Sequence, residues 1–442
     1  MSLLFALLAL TAAAPKGPLP APRNTHYVHW VTNATHKTGG GYKADPFLVS
    51  SADELDALLL KRLREHTTIY LGTNAVGTTT FITYGGGHRE SWWRHPLEWH
   101  LPKGARLIGQ GMDRTVLALT PEARPQPNPA QGRIAVATLT DLPGDSVIVS
   151  DLTVDLAVSP EARPVSTCAV AVSGDYAAIR RVRVIHGGTR TNAEAFLLVA
   201  GCPITRSNVT GLRIEDCVVE QCDPRTDDRA GICAILVGAS WSYGLMRQAT
   251  DAVIARCRVD GSTYPPTKAF AALGCKDAAV EDCVSINCDF GFYVDSWRTE
   301  SVSLRRNRFV NAANAVQWVL GGSAHSHQAT LGRAVLEDNV FLLAPRGPGR
   351  YPPHGVYLWA REPVQHLEFT RNFVGWSQPP TNTSAATGFV FEVHNVAHIQ
   401  ARDNWLALDG PWGQRMHSYG AGAVDASGNR TLPGDLIRWT NQ

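Results

Sequence analysis

The chain has 442 residues, with 41 Lys and Arg against 39 Asp and Glu, a formal charge of +2; 44% of residues are apolar and 18% charged. That apolar share excludes a disordered chain, and a near-zero balance lacks the basic excess of a nucleic-acid binder. Length alone allows two or three domains, a rule that elongated single folds escape.

At the N-terminus, the apolar run Leu3–Leu10 is followed by Ala12-Ala13-Ala14 and then Pro15. This predicts a secretory signal peptide over 1–14, although no Lys or Arg precedes the run, and hence a secreted product, periplasmic or extracellular. No other stretch reaches the roughly 20 apolar residues of a membrane span. Residues 15–100 are predicted as an N-terminal cap region. Within it, Ser51 and Glu54 have capping-box spacing ahead of Leu at helical intervals (Leu55, Leu58, Leu59), and a strand follows at Thr68–Gly72. Gly109-Gln110-Gly111 lacks the third glycine and helix of a nucleotide loop and is read as a turn.

From there an internal repeat governs the chain. Its motif is an apolar residue, two mostly charged residues, a turn residue and another strand. Examples are Val149-Ser150-Asp151-Leu152, Ile214-Glu215-Asp216-Cys217, Leu336-Glu337-Asp338-Asn339 and Ala401-Arg402-Asp403-Asn404. The turn residue falls at positions 152, 182, 217, 257, 283, 307, 339, 372 and 404, and the last four of these are Asn. Such a column predicts coils stacking at ~4.8 Å per rung. Asn at a corner suggests a left-handed backbone there, and stacked Asn side chains can hydrogen-bond along the rod. Two further strands per coil are visible, one just after the column (Val284–Ile286) and one before the next copy (Phe290–Val294, Gly355–Trp359, Gly388–Val393).

With these residues the sequence resembles the pectate-lyase-like right-handed parallel β-helix superfamily of polysaccharide lyases, hydrolases and epimerases. The resemblance covers about 300 residues. It implies an all-β fold: a single-stranded right-handed parallel β-helix over 101–432, a helical N-terminal cap and a C-terminal tail at 433–442. It carries fold more strongly than chemistry, because one scaffold hosts many activities.

Nine cysteines are present, an odd number for an exported chain. Cys217, Cys257 and Cys283 share the turn column, and Cys222 and Cys288 stand two rungs apart, so both sets are read as unbridged buried thiols. No Cys-x2-Cys spacing suggests zinc. Four Asn-x-Ser/Thr sites occur, at Asn33, Asn208, Asn382 and Asn429.

The long inserts lie beside the third strand of each coil, which makes that strand the expected floor of a groove. It offers Tyr293, Asp295, Trp297 and Arg298, then Gln317 and Trp318 with His325 and His327 in the insert. Next come His354, Tyr357, Trp359 and Arg361, followed by Glu392, His394 and Asn395. Aromatic faces suit sugar rings, while amides, Arg and carboxylates suit hydroxyls. Asp295, Tyr357, His394 and Arg361 are the candidate catalytic residues. Tyr293, Trp297, Arg298, Gln317, His354, Trp359, Glu392 and Lys276 are the candidate substrate-binding residues.

Asp295 and Glu392 are predicted three rungs apart, ~14 Å, too far for a glycosidase pair. Asn287-Cys288-Asp289 echoes polygalacturonase-like hydrolases, whose later Gly-His-Gly and Arg-x-Lys elements do not follow. No acidic cluster on neighbouring rungs suggests calcium, so no cofactor and no metal are expected. The reading is a monomeric, exported enzyme that acts on a polysaccharide substrate. It is expected to be a lyase cleaving a uronate-containing glycan by β-elimination, with a glycoside hydrolase or a non-catalytic glycan-binding β-helix as alternatives.

Overall fold

In the computed structural model each repeat is one coil of a right-handed parallel β-helix. The structure describes residues 24–31, 39–72, 77–83, 86–87, 100–119, 133–138, 146–156, 167–188, 195–201, 208–222, 231–238, 248–261, 267–295, 299–320, 332–345, 353–378, 389–408, 416–420, 422–431 and 440–441. The predicted signal peptide lies outside them. No helix among the described residues is long and apolar enough to cross a membrane.

Each coil has three faces. The first two are joined across the turn column into one 24-stranded sheet, and the third forms a separate 13-stranded sheet. Parallel pairing of Ile214 with Ile254, Ile254 with Val280 and Val280 with Leu304 fixes the register on one side of the column. Val218 with Arg258, Arg258 with Val284 and Val284 with Arg308 fix it on the other, so positions 217, 257, 283 and 307 stand directly above one another. Stacking begins earlier than residue 101, because Asn24–Trp30 pairs in parallel with Thr67–Gly72, which pairs with Arg106–Ile108. The helix Ala52–Arg62 buries Leu55 and Leu59. Its cap is split between two serines: Ser51 Oγ accepts the Glu54 N–H at 3.2 Å, while the Glu54 carboxylate accepts the Ser50 N–H at 2.7 Å.

The corner corrects one expectation. The left-handed residue is the one before the column: Asp151, Arg181, Asp216, Arg256, Asp282, Arg306, Asp338, Arg371 and Asp403 all have φ between 50° and 61°. These alternate in sign along the outside, and Arg181 pairs with Asp151, Arg256 with Asp216, Arg306 with Asp282 and Arg371 with Asp338. Such exposed pairs stabilise little individually but hold long side chains at a strained corner.

The column residue itself turns inward. The N–H and Nδ2 of Asn307 both donate to Oδ1 of Asn339, at 2.9 and 3.0 Å, and Nδ2 also donates to the Val280 carbonyl at 2.8 Å. Asn339, Asn372 and Asn404 repeat this pattern up to Asn429, a tenth copy. The buried Asn429 amide is therefore committed to the core and cannot carry a glycan. Below Asn307 the ladder continues through sulfur, with the Cys257 N–H donating to Cys283 Sγ at 3.4 Å. Seven of the eight described cysteines are buried, and burial pushes the Cys275 thiol up to about 12, as suits a core filler. Beside the ladder, the buried rings of Phe309, Phe341 and Phe369 stack at 5.5 and 6.1 Å.

Asn339→Ala is expected to destabilise the protein by about 3 kcal/mol, because it strands the Asn307 N–H and the Leu304 carbonyl in the core. Urea melts compared with an exposed control such as Lys276→Ala test this. Equal midpoints would mean that the ladder contributes nothing.

Candidate functional site

On the third face, side chains alternate between core and outside. The outward positions form rows along the axis. In the first row, Ala171, Val199, Leu236 and Ala271 are followed by Tyr293, Gln317, Tyr357 and Glu392. A second row contains Phe196, Cys233, Lys268, Phe290, Asn314 and His354. A third contains Leu273, Val319 and Trp359, with His394 beside Tyr419 higher up.

The rows change character along the rod. In the lower coils the outward residues Cys168, Ala171, Phe196, Val199, Cys233, Leu236, Ala271 and Leu273 form a second buried apolar cluster. From the strand Phe290–Asp295 upward the same rows carry half-exposed Tyr293, Gln317, Tyr357, Trp359, Glu392 and His394.

The densest polar arrangement joins the strands His354–Ala360 and Phe389–His394. Glu392 accepts from His354 Nε2 at 2.9 Å through one oxygen and from His394 Nε2 at 3.1 Å through the other. The side chains are 8%, 19% and 26% exposed for His354, Glu392 and His394, so the group opens towards His394. The hydrogen bond from His354, reinforced by that from His394, holds the Glu392 carboxyl below the usual carboxylate range against the opposing effect of burial. An ionised carboxylate only accepts, so both imidazoles carry hydrogen on Nε2. In a neutral His394 ring the lone pair then lies on Nδ1, the nitrogen free to take a proton.

Tyr357, one rung from Glu392, lies edge-on to both rings, with centroids 5.2 Å from His354 and 6.2 Å from His394. His394 is braced from above by Tyr419, stacked at 4.5 Å, and Asn314 stands below His354, with its Oδ1 3.3 Å from Nδ1. The arrangement thus presents an oriented imidazole and a phenol on one open patch. The Nε2 atoms of both histidines point at the carboxylate, and among the described residues no group of three or more His, Cys, Asp or Glu is placed to hold a metal ion.

The other candidates spread along the rod. Tyr293 and Gln317 continue the Tyr357 row downward, and Trp359 flanks it. Trp318, expected in the groove, is fully buried against Phe292, edge-on at 6.0 Å. Arg361 is exposed in the turn leaving the strand, where its carbonyl accepts from Asn395 Nδ2 at 2.8 Å. Lys276 is exposed in a turn towards the first face, three rungs below the Tyr357 strand. The backbone of Asp295 pairs with Val319, and Val319 with Trp359, which separates it from the His394 rung by three rungs as predicted. Trp297, Arg298, His325 and His327 lie outside the described residues. Sequence reasoning missed Asn314, Lys268 and Tyr419. Asn314 was legible as the rung partner of His354, and Tyr419 would have followed from recognising the tenth copy, Ala426-Ser427-Gly428-Asn429.

The fold is a right-handed parallel β-helix. The sequence matches no family model and no curated protein. Among solved structures, this chain is similar to the A-module of Azotobacter vinelandii mannuronan C-5 epimerase AlgE6, at 12% identity over 83% of this chain and 91% of that one, with a TM-score of 0.37. It is also similar to the A-module of AlgE4 from the same organism, at 11% identity over 85% and 90%, with a TM-score of 0.25.

Proposed function

We propose that this chain is a metal-independent enzyme acting on a polyuronate, and that it cleaves the chain by β-elimination. The observation that carries this reading is the Glu392–His394 pair with Tyr357 beside it on an open β-helix face. His394 Nδ1 takes the proton from C5 of a uronate. The electron pair passes into the neighbouring carboxylate as an enolate and returns to form the C4–C5 double bond. The C4–O4 bond breaks, and the Tyr357 hydroxyl gives its proton to the leaving oxygen. Glu392 holds His394 in the tautomer that leaves Nδ1 able to accept, the part a carboxylate plays in a catalytic triad. Gln317 and Arg361 supply donors for the substrate carboxylate and hydroxyls, and Trp359 a face for a sugar ring.

A hydrolase finds less support. It needs two carboxyl groups ~5–9.5 Å apart, and the Asp295 and Glu392 strands are three rungs, or ~14 Å, apart. The apolar N-terminal run supports export of the mature chain.

The test is incubation of the purified protein with a panel of polyuronates and neutral glycans in deuterated water. Ultraviolet absorbance of the unsaturated product, reducing ends and deuterium at C5 are followed separately. Absorbance rising in step with reducing ends is expected. Reducing ends without absorbance would establish a hydrolase. Deuterium at C5 without cleavage would mean that the same proton abstraction ends in epimerisation. Binding with none of the three would leave a glycan-binding scaffold.

A further inference from the structure

The groove that follows from this reading has an end, and that end carries a cation. Below the strand Phe290–Asp295 the outward rows are apolar and covered: Leu236, Ala271 and Leu273 are 3%, 1% and 9% exposed. The next rung up opens at Tyr293. At this boundary the Lys268 ammonium lies 4.0 Å from the centroid of the Tyr293 ring, and Phe290 packs against the same ring at 5.4 Å. In its row Lys268 stands where the two coils beneath carry Phe196 and Cys233. Its stem is half-buried among apolar neighbours while its charge is laid over an aromatic face that belongs to the open groove.

We propose that Lys268 on Tyr293 is a terminal subsite for the carboxylate of a uronate, two rungs below the catalytic rung. A pyranose in a chain advances by about one rung spacing. A glycan lying along the row would therefore place one sugar at Tyr357, the next at Gln317 and a third at Tyr293, where the covered apolar cluster stops it. The ammonium, held over the Tyr293 ring, meets the carboxylate of that third sugar. This subsite rests on the polyuronate reading above and adds to it a minimum chain length and a charge requirement at one end of the groove.

The test is calorimetric titration of the full chain with oligogalacturonates and oligomannuronates from dimer to hexamer, alongside neutral gluco-oligosaccharides of equal length. For the wild type, uronate affinity should rise about tenfold between dimer and trimer, as a charge-assisted contact of this kind supplies. Lys268→Met, which keeps the apolar stem, should lose that step, and Lys268→Arg should keep it. Melting temperatures of both variants show that they are folded. An undiminished step in Lys268→Met, or an equal step with neutral oligosaccharides, overturns the subsite. Absence of uronate binding at every length in the wild type overturns the polyuronate reading on which it rests.

Discussion

Tyr357→Phe is expected to lower kcat by about two to four orders of magnitude, the usual range for loss of one general acid–base group. The ring itself would be retained. Its edge-on contacts with His354 and His394 do not involve the hydroxyl, so the platform should keep its shape and the melting temperature should stay within a degree or two. KM should change little, because the phenol acts on the leaving oxygen and not on the ground-state sugar. The decisive comparison is C5 deuterium exchange in the same variant. If Tyr357 serves as the acid, exchange should survive the loss of cleavage, since His394 still removes the proton. If both disappear together, the phenol is itself the base, and the roles of Tyr357 and His394 must be exchanged. Full cleavage activity would remove Tyr357 from the chemistry.

The architecture was legible in the sequence because a stacked corner must repeat its chemistry in every coil. The Asn at 307, 339, 372 and 404 marked the register, and the spacing from that column correctly put Tyr293, Gln317, Tyr357 and Glu392 on successive rungs. What the residues could not disclose was which of two adjacent corner positions turns outward. Asp and Arg at the left-handed position looked like ordinary surface charge, whereas Asn is the residue expected there. The inward demand of the core decided otherwise: a buried Asn offers one acceptor and two donors to the rungs above and below, which a charged side chain could not do at that depth.

The site was legible as a stripe and not as a centre. Strand alternation puts Trp318 inside and Gln317 outside, which the residue types alone do not reveal, since both suit a sugar groove. Nor could spacing show that Glu392 would bind two histidines at once. His394 is its neighbour along one strand and His354 comes from the strand below, 38 residues away in sequence. The repeat placed His354 one rung below Glu392; that its ring leans across from the neighbouring row to the Glu392 carboxylate is a matter of side-chain packing that spacing does not encode.

Glu392→Gln tests that pairing. The amide has one acceptor oxygen, and its NH2 would confront an Nε2–H, donor against donor. One imidazole must then move its hydrogen to Nδ1. His354, whose Nδ1 faces the accepting Oδ1 of Asn314, is the ring expected to change, and His394 keeps its Nε2–H on the amide oxygen. Cleavage and C5 exchange should fall together, by about a hundredfold or more, in contrast to Tyr357→Phe, because a neutral amide does not stabilise the imidazolium that forms as His394 takes the proton. Stability should respond as well, with a defined sign. The native carboxyl of Glu392 is held below its ordinary range, chiefly by the hydrogen bond from His354, so its contribution is present above that range. It is lost as pH falls through the depressed native value. The wild type should therefore melt higher than Glu392→Gln near neutrality, and the gap should close in acid, below the usual carboxylate range. A gap that is the same at all pH values would mean that the amide merely packs badly, and that no ionised carboxylate orients the two histidines.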